Sequence, residues 1–136
     1  MCAKSQLTSA VGVIVNESEI DDVMRSEGVE VVYPERLSFL EQIKLMASRK
    51  NIMGSAGSFL HTSLFCPGRS ITCLNVSLQI NSNFLIIDQL SENFSTYHHP
   101  EDIQVLDKKE RFLTARYLPN AKDRAYELLE VMKSKI

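Results

Sequence analysis

The chain has 136 residues and a mass of 15.4 kDa, the size of one domain, which excludes two full-sized domains around a cleft. Hydrophobic residues make up 44% and charged residues 24% of the sequence, so the chain is not intrinsically disordered. The formal net charge of −2 and the pI of about 5.9 predict no strongly basic surface, and we expect no nucleic-acid partner.

Strand and helix patterns alternate in the first half of the chain. Runs rich in β-branched residues at 11–15 and 29–33 predict two strands, and a shorter apolar run at 51–53 predicts a third. Helices are predicted after Asn16 and after Ser38. Each of these two residues has a glutamate three positions later, which is the spacing of a capping box.

The second half continues this alternation after a glycine-containing loop at 54–58. Residues 83–92 fit either a strand or a helix. The other predicted elements are a short helix at 59–65, strands at 70–76 and 95–97, a weakly helical segment at 108–117 and a final helix that starts at Asn120. Such alternation is typical of βαβ units, so residues 1–136 are predicted to form a single α/β domain with a mainly parallel sheet.

The loop at 54–58 carries the sharpest signal for chemistry. Gly54 and Gly57 would let the backbone approach a phosphate at the start of a helix. Ser55 and Ser58 would add hydroxyl donors. The loop lacks the lysine of a P-loop and the third glycine of a dinucleotide-binding fingerprint. The alternative interpretation is a tight structural turn between a strand and a helix.

Five other residues are candidates for chemistry. His61, just after the loop, could donate to an anion or act as an acid or base, and it could equally bond to local backbone. His98 and His99 could bind a metal, but no third ligand lies at a recognisable spacing, which favours an exposed loop and no metal site. Glu41 and Gln42 lie inside the second predicted helix, where capping and solvent exposure explain them.

The cysteines and the apolar runs bear on the compartment. Cys2, Cys66 and Cys73 are an odd number without a CxxC pair, so we expect free thiols in a reducing, cytoplasmic environment. No apolar run reaches the roughly 18 residues of a membrane span, and the apolar stretch near the N-terminus is a poor signal peptide.

Residues 13–74 resemble the C-terminal part of glycosyltransferase family 61, of the capsular polysaccharide biosynthesis type. The resemblance runs through Asn16-Glu17, residues 28–35 (GVEVVYPE), 37–43 (LSFLEQI), 52–61 (IMGSAGSFLH) and 64–65 (LF). The block at 52–61 is similar to a family motif of Gly-Ser, any residue, Leu and His. Residues 83–97 are similar to the family's helix-then-Tyr segment, which favours a helix at 83–92.

The resemblance implies a Rossmann-like half of a two-domain GT-B transferase. Such an enzyme takes a nucleotide sugar as donor and a glycan as acceptor, with no cofactor and no dedicated metal cage. The residues implied to line the donor phosphates are Gly54, Ser55, Gly57, Ser58 and His61, with Glu41 and Gln42 approaching the same cleft. The acceptor domain of the family lies outside this chain, so a partner domain or a homo-oligomer is expected to complete the cleft.

Three functions are therefore carried forward. The first is a donor-binding domain that transfers sugar in capsular or exopolysaccharide biosynthesis when its second half is present. In that role the loop would stabilise the departing diphosphate. The second is a nucleotide-binding module without turnover. The third is a protein-interaction module or truncated remnant whose glycine loop is structural.

Overall fold

Three parallel strands form the central sheet of the computed structural model, which describes residues 1–5, 13–107 and 114–136. The strands are β1 (Asn51–Ser55), β2 (Ser70–Leu74) and β3 (Phe94–His98), in that spatial order. Ile52 lies opposite Ile71, and Ile71 lies opposite Ser95. The predicted α/β class with a parallel sheet is confirmed.

Helices make the two crossovers between these strands. α3 (Ser58–Thr62) and a 3-10 turn (Ser63–Phe65) connect β1 to β2, and α4 (Ser82–Ser91) connects β2 to β3. The ambiguous segment at 83–92 is thus helical. Asn81 starts α4, because its side chain accepts a hydrogen bond from the backbone N of Asn83 at 2.9 Å.

A further helix, α2 (Phe39–Ala47), precedes β1 and follows a 3-10 turn at Pro34–Arg36. The predicted capping box is present. The hydroxyl of Ser38 accepts from the backbone N of Glu41 at 3.3 Å, and the carboxylate of Glu41 accepts from the backbone N of Ser38 at 2.7 Å. Sequence spacing alone therefore predicts where this helix begins.

One face of the sheet is covered by α1 (Glu17–Ser26) and α5 (Ala121–Ser134), and the opposite face by α2, α3 and α4. Alternation along the strands separates two apolar cores, because successive side chains point to opposite faces. Met53 and Leu74 pack with α1 and α5, whereas Ile71 packs among the residues of the α2, α3 and α4 side. No helix in the described parts of the chain is long and apolar enough to cross a bilayer.

The predicted capping box at Asn16 is wrong, since its side chain makes no capping bond to α1. Instead, its amide donates to the carbonyl of Leu118 at 2.9 Å and accepts from the backbone N of Leu118 at 3.0 Å. One side-chain amide thus satisfies both backbone groups of a fully buried leucine, which would otherwise be left unpaired away from water.

Two predicted strands near the N-terminus are reduced to single bridges. Within 11–15, residues 11 and 12 lie outside the described residues, Ile14 bridges Arg116, and Val15 is an exposed turn residue. Within 29–33 only Val32 pairs, and it pairs with Cys2 rather than with β1. The N-terminal segment lies between β1 and Val32, so the second predicted strand is separated from β1 and contributes one bridge on the outer side of that segment.

The segment predicted as weakly helical is partly a strand. Residues 108–113 lie outside the described residues, and Ala115–Tyr117 forms β5, which pairs antiparallel with β4 (Gln104–Asp107). Cross-strand pairing overrides the weak helix propensity there. The final helix, α5, begins one residue after Asn120, as predicted.

Candidate functional site

Gly54 is a glycine for steric reasons. It lies in β1 and is buried. A Cβ there would stand 2.7 Å from the carbonyl oxygen of Cys2 and 2.9 Å from the ring of Phe59. The missing side chain therefore lets the N-terminal segment lie against β1.

Ser55 is also buried, at 1% exposure, and its hydroxyl donates to the carboxylate of Glu17. Glu17, the first residue of α1, is itself 1% exposed and also accepts from the backbone N of Lys4 at 2.9 Å. Burial raises the pKa of Glu17, and the bonds from Ser55 and Lys4 oppose that rise. The predicted phosphate ligand Ser55 thus faces a carboxylate.

Lys4 brings a cation to the glycine loop. Its ammonium donates to the carbonyl of Ala56 at 2.8 Å. A Cβ on Gly57 would lie 3.4 Å from both Cδ and Nζ of Lys4, so the lysine side chain lies directly over Gly57. Burial lowers the pKa of Lys4, and the charge of Glu17 opposes that effect. The lysine missing from the loop is supplied from a distant segment.

A cavity of about 120 Å³ opens beside this ammonium. Its lining includes Lys4, Pro34, Glu35, Gln42, Ser58 and Phe59. Two of the predicted residues, Gln42 and Ser58, are thus brought together. The amide of Gln42 is held in place, because it donates to the carbonyls of Pro34 at 2.9 Å and Leu37 at 3.2 Å. The cavity therefore has a fixed polar wall.

Two other predicted residues lie outside this lining. Glu41 is exposed and caps α2, and the backbone hydrogen bond from Ser38 lowers its pKa. His61 is exposed on α3, and its ring lies 5.3 Å from that of Phe84 in an edge-to-face arrangement. The structure does not bring either side chain to the cavity beside Lys4.

A second, larger cavity of about 480 Å³ lies at the carboxyl end of β3. His98 ends β3, and its Nε2 lies 3.2 Å from Glu127 on α5. Arg124 pairs with Asp102 at 3.5 Å and, more closely, with Glu127. The expected exposed loop is thus a half-buried ion-pair cluster at His98. Among the described residues, no group of three side chains could hold a metal ion.

Sequence reasoning missed Lys4, Glu17 and Arg124. Lys4 lies 52 positions from its partner Ala56, and no local pattern indicates that contact. Glu17 carried a signal, since it lies in the block shared with the glycosyltransferase family, but its burial follows only from the packing of α1 on the sheet. Arg124 was indistinguishable from the other charges of an amphipathic helix.

Comparison with known proteins gives one match. The family described as Glycosyltransferase 61 matches residues 4–73, about half of the chain. No curated protein and no solved structure matches. The matched segment starts at Lys4 and includes Gln42 and Ser58, so it contains the polar wall of the smaller cavity and the lysine beside it. The chain belongs to the glycosyltransferase 61 family.

Proposed function

We propose that the chain binds the diphosphate of a nucleotide-sugar donor in the cavity beside Lys4. Family membership supports a glycosyltransferase-like function. The observation that carries the proposal is the Lys4 ammonium, held over Gly57 and next to Ser58 at an open cavity. A cation and a hydroxyl are the groups that a diphosphate binds.

The chemical role of this site is to stabilise a leaving group. When a sugar leaves its donor, negative charge accumulates on the diphosphate, and a preorganised cation lowers the energy of that state. α3 has only five residues, so its dipole adds little. Lys4 and the hydroxyl of Ser58 would therefore carry most of the interaction. Weak binding is expected, because Glu17 and Glu35 lie near the same ammonium.

A ligand titration tests the proposal. UDP and GDP are added separately to the ¹⁵N-labelled chain, with Lys4→Ala and Lys44→Ala as matched variants, since Lys44 is exposed on α2. We expect NMR shifts at residues 4, 42 and 56–58, lost in Lys4→Ala and kept in Lys44→Ala. Shifts confined to the cavity at His98, or no binding by either ligand, would overturn the assignment.

We further propose that a second domain or a second copy of this chain completes the transferase. Orientation of two substrates and exclusion of water need a closed cleft. The aromatic side chains of Phe39 and Phe65 are 55% and 54% exposed with ring centroids 5.4 Å apart, and neighbouring Leu40 is 59% exposed. Exposed apolar groups of this kind support a covered face.

Transfer by the chain alone tests this second proposal. We expect no sugar transfer at ordinary enzyme rates of about 1 per second or more. A purified monomer that turns over donor and acceptor at such rates would contradict it.

The role proposed for the complete enzyme is in capsular or exopolysaccharide biosynthesis in the cytoplasm. The three free, buried cysteines support a reducing compartment. Diphosphate binding without turnover in any assembly would favour the nucleotide-binding module.

A further inference from the structure

A buried carboxylate joins the segment that carries Lys4 to the strand that carries the glycine loop. Oε2 of Glu17 accepts from the backbone N of Lys4 at 2.9 Å, and Oε1 accepts from the hydroxyl of Ser55 at the end of β1. Glu17 is 1% exposed. One side chain of α1 therefore links residue 4 to the end of β1, next to the backbone bond from Cys2 to Met53.

The side chain of Lys4 is held at both ends. Its backbone is fixed by Glu17, and its ammonium donates to the carbonyl of Ala56 at 2.8 Å. Between these points the lysine side chain lies over Gly57, where an added Cβ would stand 3.4 Å from its Cδ and Nζ atoms. The location of the cation at the cavity thus depends on a carboxylate that does not line the cavity.

We propose that Glu17 is a positioning residue of the diphosphate site: its carboxylate holds Lys4 over the loop and balances the ammonium charge, without contacting the ligand. The inference rests on the proposed function, since it assigns Glu17 a role in that same site. Glu17 would affect ligand binding only by holding Lys4 in place, and the diphosphate would contact Lys4 and Ser58.

The charges around Lys4 make this role measurable. Burial lowers the pKa of the Lys4 ammonium, the charge of Glu17 on α1 raises it, and the charge of Arg116 on β5 lowers it. Burial raises the pKa of Cys73 on β2 to about 12, so that thiol is uncharged near neutral pH. Glu35 also lines the cavity. Among the described residues, Glu17 makes the largest charge contribution to the pKa of Lys4, and its carboxylate accepts from the backbone N of Lys4. Removal of that charge should make the ammonium lose its proton at a lower pH.

The test compares Glu17→Gln with Glu19→Gln, because Glu19 is an exposed residue of the same helix. UDP affinity is measured by calorimetry across a pH series, and the Lys4 Nζ is followed by NMR. We expect Glu17→Gln to bind UDP roughly tenfold more weakly at neutral pH, with a further loss of affinity at a lower pH than in the wild type. Glu19→Gln should match the wild type in both.

The outcomes separate this inference from the function it rests on. If the wild type binds neither UDP nor GDP at Lys4, the proposed function fails and the inference with it. If the wild type binds and Lys4→Ala does not, but Glu17→Gln keeps the affinity and pH profile of Glu19→Gln, only the positioning role is overturned. A purely structural role would lower stability without moving the pH profile of the folded protein.

A reciprocal variant covers the case in which Glu17→Gln does not fold. Lys4→Met keeps an unbranched side chain of similar length and leaves Glu17 in place. Because the charge of Lys4 lowers the pKa of Glu17, its removal should raise that pKa further, as seen in the ¹³C shift of the Glu17 carboxyl. An unchanged Glu17 titration would overturn the coupling between the two residues.

Discussion

The cavity beside Lys4 and the cavity at His98 differ in the groups that surround their cations, although both lie near loops that follow strands of one parallel sheet. Beside β1, the ammonium of Lys4 donates to the backbone carbonyl of Ala56, and the carboxylate of Glu17 accepts from the backbone N of Lys4. Beyond β3, the guanidinium of Arg124 lies between two carboxylates, Asp102 and Glu127. Arg124 therefore shares its charge with two carboxylates, which disfavours an anion in the second cavity, whereas Lys4 is the cation to which we assign the diphosphate.

Under our proposal, position at the sheet edge does not by itself make a phosphate site. In open parallel sheets, ligands bind beyond the carboxyl ends of the strands, and both cavities satisfy that rule. A guanidinium paired twice has its charge neutralised, so it attracts an added anion weakly. The pairing of Arg124 therefore argues against the second cavity as an anion site, although that cavity is the larger of the two.

The largest expected effect comes from the packing beneath the first cavity. Gly54→Ala places a methyl group 2.7 Å from the carbonyl of Cys2, so we expect a loss of about 1–3 kcal/mol in unfolding free energy. In Gly57→Ala the new group meets only the side chain of Lys4, at 3.4 Å, and stability should change little. Urea unfolding measures both, and equal losses would contradict this distinction.

Removing each cation in a separate variant tests the comparison of the two cavities directly. Lys4→Ala should weaken UDP binding by roughly tenfold, whereas Arg124→Ala should leave it within about twofold, because Arg124 is already neutralised by its partners. Calorimetry on the two variants, with circular dichroism to check folding, provides the measurement. A larger loss of affinity in Arg124→Ala would reverse the assignment of the two cavities.

The dependence of stability on pH tests the acids on α1. Burial raises the pKa of Asp21, so its contribution to stability is complete below its unfolded pKa and is lost as pH rises through its folded value. Asp21→Asn should therefore flatten the fall in stability above about pH 4. Asp22→Asn, at an exposed position, is the control. Identical thermal unfolding curves for the two variants across pH would contradict this expectation.

The smallest expected effect is at His61. Its exposed ring packs edge-to-face on Phe84, so His61→Ala should cost roughly 0.5–1.5 kcal/mol of stability. The proposal that it also contacts the donor phosphates predicts a loss of UDP affinity smaller than that of Lys4→Ala. Thermal unfolding and calorimetry on the same variant separate the two roles, and unchanged affinity would remove His61 from the site.

Local signals in the sequence predicted the elements near the site but not its charges. Ser38 and Glu41 predict the start of α2, because a capping box is a contact between residues three positions apart. The glycine loop and the helix after it follow equally from local residues. Contacts of Lys4 with Glu17 and Ala56 span 13 and 52 positions, and they form only when the N-terminal segment pairs beside β1. Sequence reasoning therefore named Gln42 and Ser58, which line this cavity, and missed Lys4 in the same lining.

The paired amide of Asn16 has a consequence for how the family segment can be isolated. Asn16 lies within the matched residues 4–73, and its partner Leu118 lies 102 positions away, outside them. A fragment limited to the matched residues would leave that amide unpaired and the apolar side of α1 without α5. The cavity beside Lys4 and the C-terminal helix should therefore unfold in a single cooperative transition, although only the first lies mainly in the matched family segment.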